Sequence, residues 1–278
     1  MDWNIILIGT LASLGAGLAT GLGALPVFFK KNISDKALDL LLGFAAGVML
    51  AASAFSLLVP ALNLSAEDGG APNFNSENLQ NLWTVGIVVI GVLAGAFFID
   101  IIDRWAPHEH FVKGPEGKVS KRLAATWLFI IAITIHNFPE GLAVGVSFGG
   151  GDVSQIAMGL VVAIAIGLQN IPEGTAVAMP LLREGYSKKK AFLIATFTGI
   201  VEPVGAFIGV AVVNIARFFL GFGMAFAAGA MIFVVADEII PETHGKEHSR
   251  QVTFGIIFGF VIMMFLDNFI EPVLTTIL

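Results

Sequence analysis

The chain has no cysteine, a single tyrosine and little charge: of its 278 residues only 13% are Asp, Glu, Lys or Arg, against about 25% in an ordinary soluble domain. Without cysteine there is no disulfide and no thiolate ligand, although the compartment stays open. No basic stripe interleaved with aromatics runs through it, which argues against nucleic acid as a partner. It lacks a Walker loop and H-E-x-x-H; "PHEHF" at 107–111 has no second His four residues on. ATP drive and zincin-type proteolysis are therefore unsupported. What is present is apolar: 56% hydrophobic residues and a mean hydropathy of +0.86. The composition is that of a membrane protein.

A helix needs about 20 mostly apolar residues to cross the hydrocarbon core. Such runs lie near 4–28, 37–63, 80–104, 123–148, 154–182, 188–213, 217–240 and 251–277. They are long and do not alternate, so an all-α polytopic protein with eight transmembrane helices in a single domain (1–278) is expected rather than a barrel. "MDWNIILIG" has no basic segment before its apolar run, so the first run reads as a retained span rather than a cleaved leader. Fourteen of the fifteen Lys and Arg residues fall between spans 1 and 2, 3 and 4, 5 and 6, or 7 and 8; Arg217 is the exception. The positive-inside rule then makes those loops, including 105–122, cytoplasmic and puts both termini outside. A multi-pass protein of the cell (inner) membrane, in contact with lipid, is the expectation. Glycines recur inside the spans, as in "GTLASLGAGLATGLGAL" at 9–25, and small residues of this kind let helices pack closely.

Two hexapeptides stand out. "HNFPEG" (136–141) is near the centre of span 4 and "QNIPEG" (169–174) near the centre of span 5, with Glu202 of "GIVEPVGA" near the centre of span 6. Charge at the bilayer centre is costly, and no Lys or Arg lies at that depth. The compensating charge must come from protons or a cation. His136 and Glu140 are four apart and share a helix face, as do Gln169 and Glu173. Pro139 and Pro172 donate no bond to the carbonyls of Ile135 and Leu168, so the two helices are expected to break there around a cavity. Gly141 and Gly174 would admit a neighbouring backbone. The two copies run in opposite directions and resemble an inverted pair facing one site.

Each residue also has a plainer reading. A His within a span can be a helix–helix hydrogen-bonding group, and Asn137 and Asn170 can be polar glue between helices. The combination favours metal, with His136, Glu140, Gln169, Glu173 and Glu202 as ligands and Asn137 and Asn170 as further candidates. Imidazole, carboxylate and amide oxygen suit Zn²⁺, with Cd²⁺, Fe²⁺ or Mn²⁺ as alternatives. The set does not suit Cu⁺, and the His argues against Ca²⁺. The metal would be the transported substrate; no organic cofactor is implied.

These motifs, with "LGFAAGVMLAASAFSLLVPAL" (42–62), "PHEH" (107–110) and "AAGAMIFVVADEIIPETH" (227–244), resemble the ZIP (Zrt/Irt-like) family of divalent-metal transporters, in its bacterial GufA-type branch. The resemblance implies eight helices in a 3+2+3 arrangement, a homodimer, and movement of metal into the cytoplasm as spans 1, 4, 5 and 6 slide against 2, 3, 7 and 8. It implies one metal site at His136, Glu140, Gln169, Glu173 and Glu202, and a second at Asn137, Asn170 and shared carboxylates. Some relatives carry Asp at the position of Asn170, so the second site here has one charge fewer. An acid beyond span 2 in some relatives is Asn63 here, which leaves Asp267 of span 8 to attract cations at an entrance. His108, His110, Asp237, Glu238 and His244, with Asp103, Glu109, Glu242 and His248 nearby, are either solvated loop polarity or a weak cytoplasmic exit site. A metal-selective channel through the same residues, and an intramembrane metalloenzyme, are the alternative functions.

Overall fold

A computed structural model of the chain describes residues 2–30, 33–63, 74, 76–105, 108–110, 114–116, 125–216, 219–244 and 249–278. Eight long helices follow one another: α1 (Trp3–Phe29), α2 (Asp35–Asn63), α3 (Glu77–Trp105), α4 (Ala125–Phe148), α5 (Val153–Arg183), α6 (Lys188–Ile215), α7 (Phe219–Ile239, continued by Ile240–His244) and α8 (Arg250–Ile277). They coincide with the eight expected spans to within a few residues. Among the described residues, all but α4 meet the length and hydropathy of a membrane-crossing helix, and the protein is a polytopic membrane protein. The loop between α3 and α4 departs from an all-helical reading. It holds a small antiparallel pair, β1 (His108–His110) and β2 (Gly114–Glu116), with His108 opposite Glu116.

Helix starts follow local chemistry. Asp2, Ser34, Asp152 and Ser187 each cap a helix by accepting a bond from a backbone N–H of the first turn. The closest helix pairs are α2 with α8, α1 with α5, α3 with α7 and α4 with α6. Glycine makes these approaches feasible. A Cβ at Gly47 would collide with the Ile256 carbonyl of α8, one at Gly95 with the Phe226 carbonyl of α7, and one at Gly145 with the Ala206 carbonyl of α6.

The expected breaks at Pro139 and Pro172 are not found: α4 and α5 run through both prolines as continuous α-helix. One missing N–H costs a single helical bond, and the surrounding helices hold the segment in place. The irregular turns lie elsewhere. α2 widens to a π-helix over Ala52–Leu58, α7 over Val235–Ile239 and α8 over Leu266–Ile270. Each wide stretch is followed two residues later by a proline: Pro60, Pro241 and Pro272. The mechanism is local. A proline cannot bond the carbonyl four residues back and its ring crowds that oxygen. The residue before it bonds five back instead: Val59 to Ala54, Ile240 to Val235 and Glu271 to Leu266. In α6 the outcome is opposite. Gly199–Val201 tightens to a 3₁₀ turn immediately before Glu202 and Pro203.

The glycine contacts generate a prediction. Gly47→Ala places a methyl group against the backbone of α8, and overpacking of this kind costs about 1–3 kcal/mol. Gly86 has open space around it. Thermal unfolding in detergent should show a lower midpoint for Gly47→Ala and an unchanged one for Gly86→Ala. Equal midpoints would show that the α2–α8 contact is not held by close backbone approach.

Candidate metal-transport site

Three helices bring the motif residues together. His136, Asn137 and Glu140 lie on α4, Gln169, Asn170 and Glu173 on α5, and Glu202 where the 3₁₀ turn of α6 gives way to α-helix. Every one of these side chains is buried, none more than 3% exposed. The two glycines of the paired motifs act as expected. A Cβ at Gly141 would strike the Glu202 backbone and one at Gly174 the Thr20 carbonyl, so each motif is pressed against a neighbouring helix.

Inside the cluster, Glu140 faces Glu173, Glu202 and Gln169, and Glu173 faces His136. The Asn170 amide donates to Glu202 Oε1 at 2.7 Å and to the Ala16 carbonyl of α1 at 2.9 Å. Asn170 therefore ties three helices and fixes one carboxylate oxygen. Both oxygens of Glu173, the second oxygen of Glu202, Nδ1 of His136 and the Asn137 amide are buried with no hydrogen-bond partner. Buried polar atoms are nearly always bonded; apart from Asn137 Nδ2, a donor, these orphans are acceptors that could hold a cation. Their chemistry, imidazole with carboxylate and amide oxygen, suits a borderline divalent ion. Among the described residues, however, no three His, Asp or Glu side chains already converge at metal-binding distances.

His136 has a partner that its sequence context did not suggest. Its Nε2 meets the carboxylate of Glu238, on the π-helical stretch of α7. Asp103, in the last turn of α3, is also buried and lies close enough to His136 to act on it electrostatically. From sequence, Glu238 and Asp103 fall among residues that are either solvated loop polarity or a weak cytoplasmic exit site. The structure buries both beside the midplane histidine and leaves neighbouring Asp237 only part-buried. The signal was available in "ADEIIP": the proline widens the preceding turn and turns adjacent Asp237 and Glu238 to different surroundings. His108 and His110 fall in β1, and His244 ends α7. The side chains of these three, and of Glu109 and Glu242, lie outside the described residues, as does His248 altogether.

At the opposite end, Asp267 and Asn63 do come together. Both line a cavity of about 330 Å³ with Ser56, Gln155 and Glu271. Ser56 Oγ donates to Asp267 Oδ1 at 2.5 Å. Ser56, Gln155 and Glu271 were not anticipated. Ser56 and Asp267 both sit on π-helical stretches preceding a proline, the same signature that marks Glu238.

The family profile described as "ZIP Zinc transporter" matches residues 106–267. The zinc transporter GufA of Myxococcus xanthus is 42% identical over 259 residues, covering 93% of this chain and 97% of that protein. The zinc transporter ZIPB of Bordetella bronchiseptica is 41% identical over 251 residues, covering 90% and 77%. The human zinc transporter ZIP11 is 33% identical over 339 residues, covering 94% and 96%. With a buried cluster of carboxylates, imidazole and amides inside a bundle of apolar helices and these relatives along nearly its whole length, the chain belongs to the ZIP zinc transporter family, a family of transporters and not of enzymes.

Proposed function

We propose that this chain is a single transporter domain that carries Zn²⁺ into the cytoplasm through a midplane site made by His136, Glu140, Gln169, Glu173 and Glu202. The observation that carries the reading is the set of buried, unpartnered polar atoms on α4, α5 and α6 with no Lys or Arg at their depth. The zinc specificity rests on the relatives, which are zinc transporters by name. The ion would draw the carboxylates of Glu140, Glu173 and Glu202 onto itself. His136 then stands between this cluster and Glu238 with Asp103, a second acidic station toward the predicted cytoplasmic ends of α3 and α7. The cavity at Asp267, Asn63 and Glu271 would be the outer entrance. The direction and the external termini follow from the placement of Lys and Arg.

The packing supports a 3+2+3 inverted repeat. Exchanging α1 with α6, α2 with α7, α3 with α8 and α4 with α5 turns the close pair α1–α5 into α6–α4 and the close pair α2–α8 into α7–α3. All four closest contacts are thus accounted for by two. Sliding of α1, α4, α5 and α6 against the other four has its own support. Glycines that would strike a backbone do so within that group, as at Gly17 against Gly199, Gly23 against Ile171 and Gly141 against Glu202, or within the pairs α2–α8 and α3–α7. Across the boundary Gly223 of α7 meets side chains rather than backbone, Val146 at 3.3 Å and Val213 at 3.9 Å. An apolar groove lined by Phe98, Phe138, Leu142 and Phe222 runs along the same boundary. Interlocked backbones resist sliding; smooth apolar side chains permit it.

Removal of one liganding carboxylate tests the site. Changes to residues that merely support a metal ligand already cost about 10–100-fold in affinity. Glu140→Ala and Glu173→Ala should therefore lower Zn²⁺ uptake into proteoliposomes by more than that, while their melting points in chelator stay equal to or above the parent's, because like charges repel in the empty cluster. Normal uptake by either variant would remove that residue from the site.

Metal must displace protons from whichever of His136, Glu140, Glu173 and Glu202 hold them. Zn²⁺ added to the protein in weakly buffered detergent at about pH 6 should release protons, and apparent affinity should fall as pH falls. A titration with no release would contradict the carboxylate–imidazole ligand set.

Asn170 decides how many ions bind. With one dication bound, three ionised carboxylates leave a formal charge of about −1, against repulsion between two charges of about 4 kcal/mol at ~4 Å and an effective dielectric of 20. One tightly held midplane ion is expected. Asn170→Asp adds an acid and removes both amide donations, each worth about 1 kcal/mol. Its metal stoichiometry should rise above the parent's while its melting point in chelator drops. Two equally tight midplane ions in the parent would overturn the charge argument.

A further inference from the structure

The cytoplasmic ends of α1, α2, α5 and α6 form a basic surface that the transport reading does not use. We propose that this surface binds the phosphate headgroup of an anionic phospholipid. On a chain of net charge −6, Lys30, Lys36, Arg183, Lys188, Lys189 and Lys190 are gathered where the loop after α1 meets the loop after α5. All six are exposed.

The two loops are tied into one surface. Lys188 Nζ donates to the Phe28 carbonyl at 2.9 Å, and Arg183 donates to the Ile33 carbonyl at 2.6 Å and to Asp35 Oδ1 at 2.8 Å. The rings of Phe28 and Phe192 meet at 5.4 Å. Depth is marked independently. Trp127 Nε1 donates to the Tyr186 hydroxyl at 2.8 Å, and Lys190 lies 4.8 Å above the Tyr186 ring. Trp and Tyr of this kind sit at the level of lipid headgroups. Just below, Phe29 is 84% and Phe197 66% exposed on the apolar faces of α1 and α6. Charge above and lipid-facing aromatics beneath are what a headgroup and its acyl chains require.

The position of the lysines along their helices adds the charge argument. Lys30 follows the C-terminal end of α1, where a cation is favoured. Lys188, Lys189 and Lys190 open α6, where the helix N-terminus is itself partly positive. Ser187 caps that turn by accepting from the Lys190 N–H at 3.3 Å, which leaves other first-turn amides to the surroundings. Three cations on a positive helix end repel one another and the helix; a phosphate among them reverses the sign of every one of those interactions. The positive-inside bias alone accounts for lysines on this side but would be served equally by any cytoplasmic loop.

That contrast supplies the test. The full chain, purified in detergent, is titrated with phosphatidylglycerol or phosphatidylcholine and the bound lipid counted by native mass spectrometry. Lys188→Gln/Lys189→Gln/Lys190→Gln is compared with Lys113→Gln/Lys118→Gln/Lys121→Gln, which removes the same charge from the loop after α3. The first variant should bind phosphatidylglycerol about tenfold or more weakly, the second like the parent, and phosphatidylcholine should bind poorly to all. Equal losses in both variants would reduce the effect to general surface charge and overturn the proposal. So would equal binding of the two lipids, or complete displacement by millimolar inorganic phosphate. Should the triple variant melt lower than the parent, Lys189→Glu makes the same comparison with a single exposed side chain, and phosphatidylglycerol binding unchanged in it would overturn the proposal as well.

Discussion

Carboxylates buried without a fixed cation set the terms for the rest of this structure. Glu140, Glu173 and Glu202 sit in an apolar bundle with no lysine or arginine at their depth. Hydrocarbon offers no screening, and a protein that spent its own cations here would have a salt bridge and nothing to transport. On the proposed reading the bundle must instead hold the members of the cluster close and still let a mobile cation arrive and depart. Continuous α4 and α5 meet the first need. A helix that runs through its proline keeps His136 and Glu140, and Gln169 and Glu173, in one helical register, which a broken helix would lose.

The surrounding helices divide these needs between them. Glycine lets α1, α4, α5 and α6 approach to backbone contact, so the residues of the proposed site are carried on one closely interlocked group. The irregular turns belong to α2, α7 and α8. There the polar residues Ser56, Glu238 and Asp267 occur on widened turns. On the proposed reading, the group that holds the ion is regular and rigid, while the helices it passes carry the locally widened backbone. Asn170 belongs to the first group: its two donations bind α5 to α1 and to a carboxylate of α6.

Much of this was legible in the sequence. The eight apolar runs gave the helices, because length and hydropathy alone fix a span, and paired hexapeptides singled out the buried cluster, because charge at that depth needs a reason. The failures share a cause. Pro139 and Pro172 were expected to break their helices, and the prolines of α2, α7 and α8 drew no attention, yet the departures from regularity are at the latter. A proline's effect depends on whether neighbouring helices leave room for a wider turn, and that is tertiary information. The burial of Glu238 and Asp103 beside His136 is not legible in the sequence for a related reason. Near the end of an apolar run, sequence alone does not distinguish an acid turned into the bundle from one turned to water. The bond from Asn170 to the Ala16 carbonyl joins residues 154 apart, a distance no local pattern spans.

The widened turns have a consequence for how these helices tolerate change in length. A π-helical turn holds one more residue than the α-helical turn it replaces. Deleting a single residue within Ala52–Leu58, Val235–Ile239 or Leu266–Ile270 would leave an ordinary helix that still fits the membrane. Because the residue lost is the extra one, the helix beyond would keep nearly its original facing, and only side chains of the widened turn itself would be re-aimed; one residue lost from a regular helix would instead rotate everything beyond it by about 100°. The same holds in reverse, since each such stretch is what a one-residue insertion into a regular helix leaves behind. These three segments are therefore places where one residue can be gained or lost locally, at the expense of the direction of Ser56, Glu238 or Asp267, while the helix face beyond stays where it was.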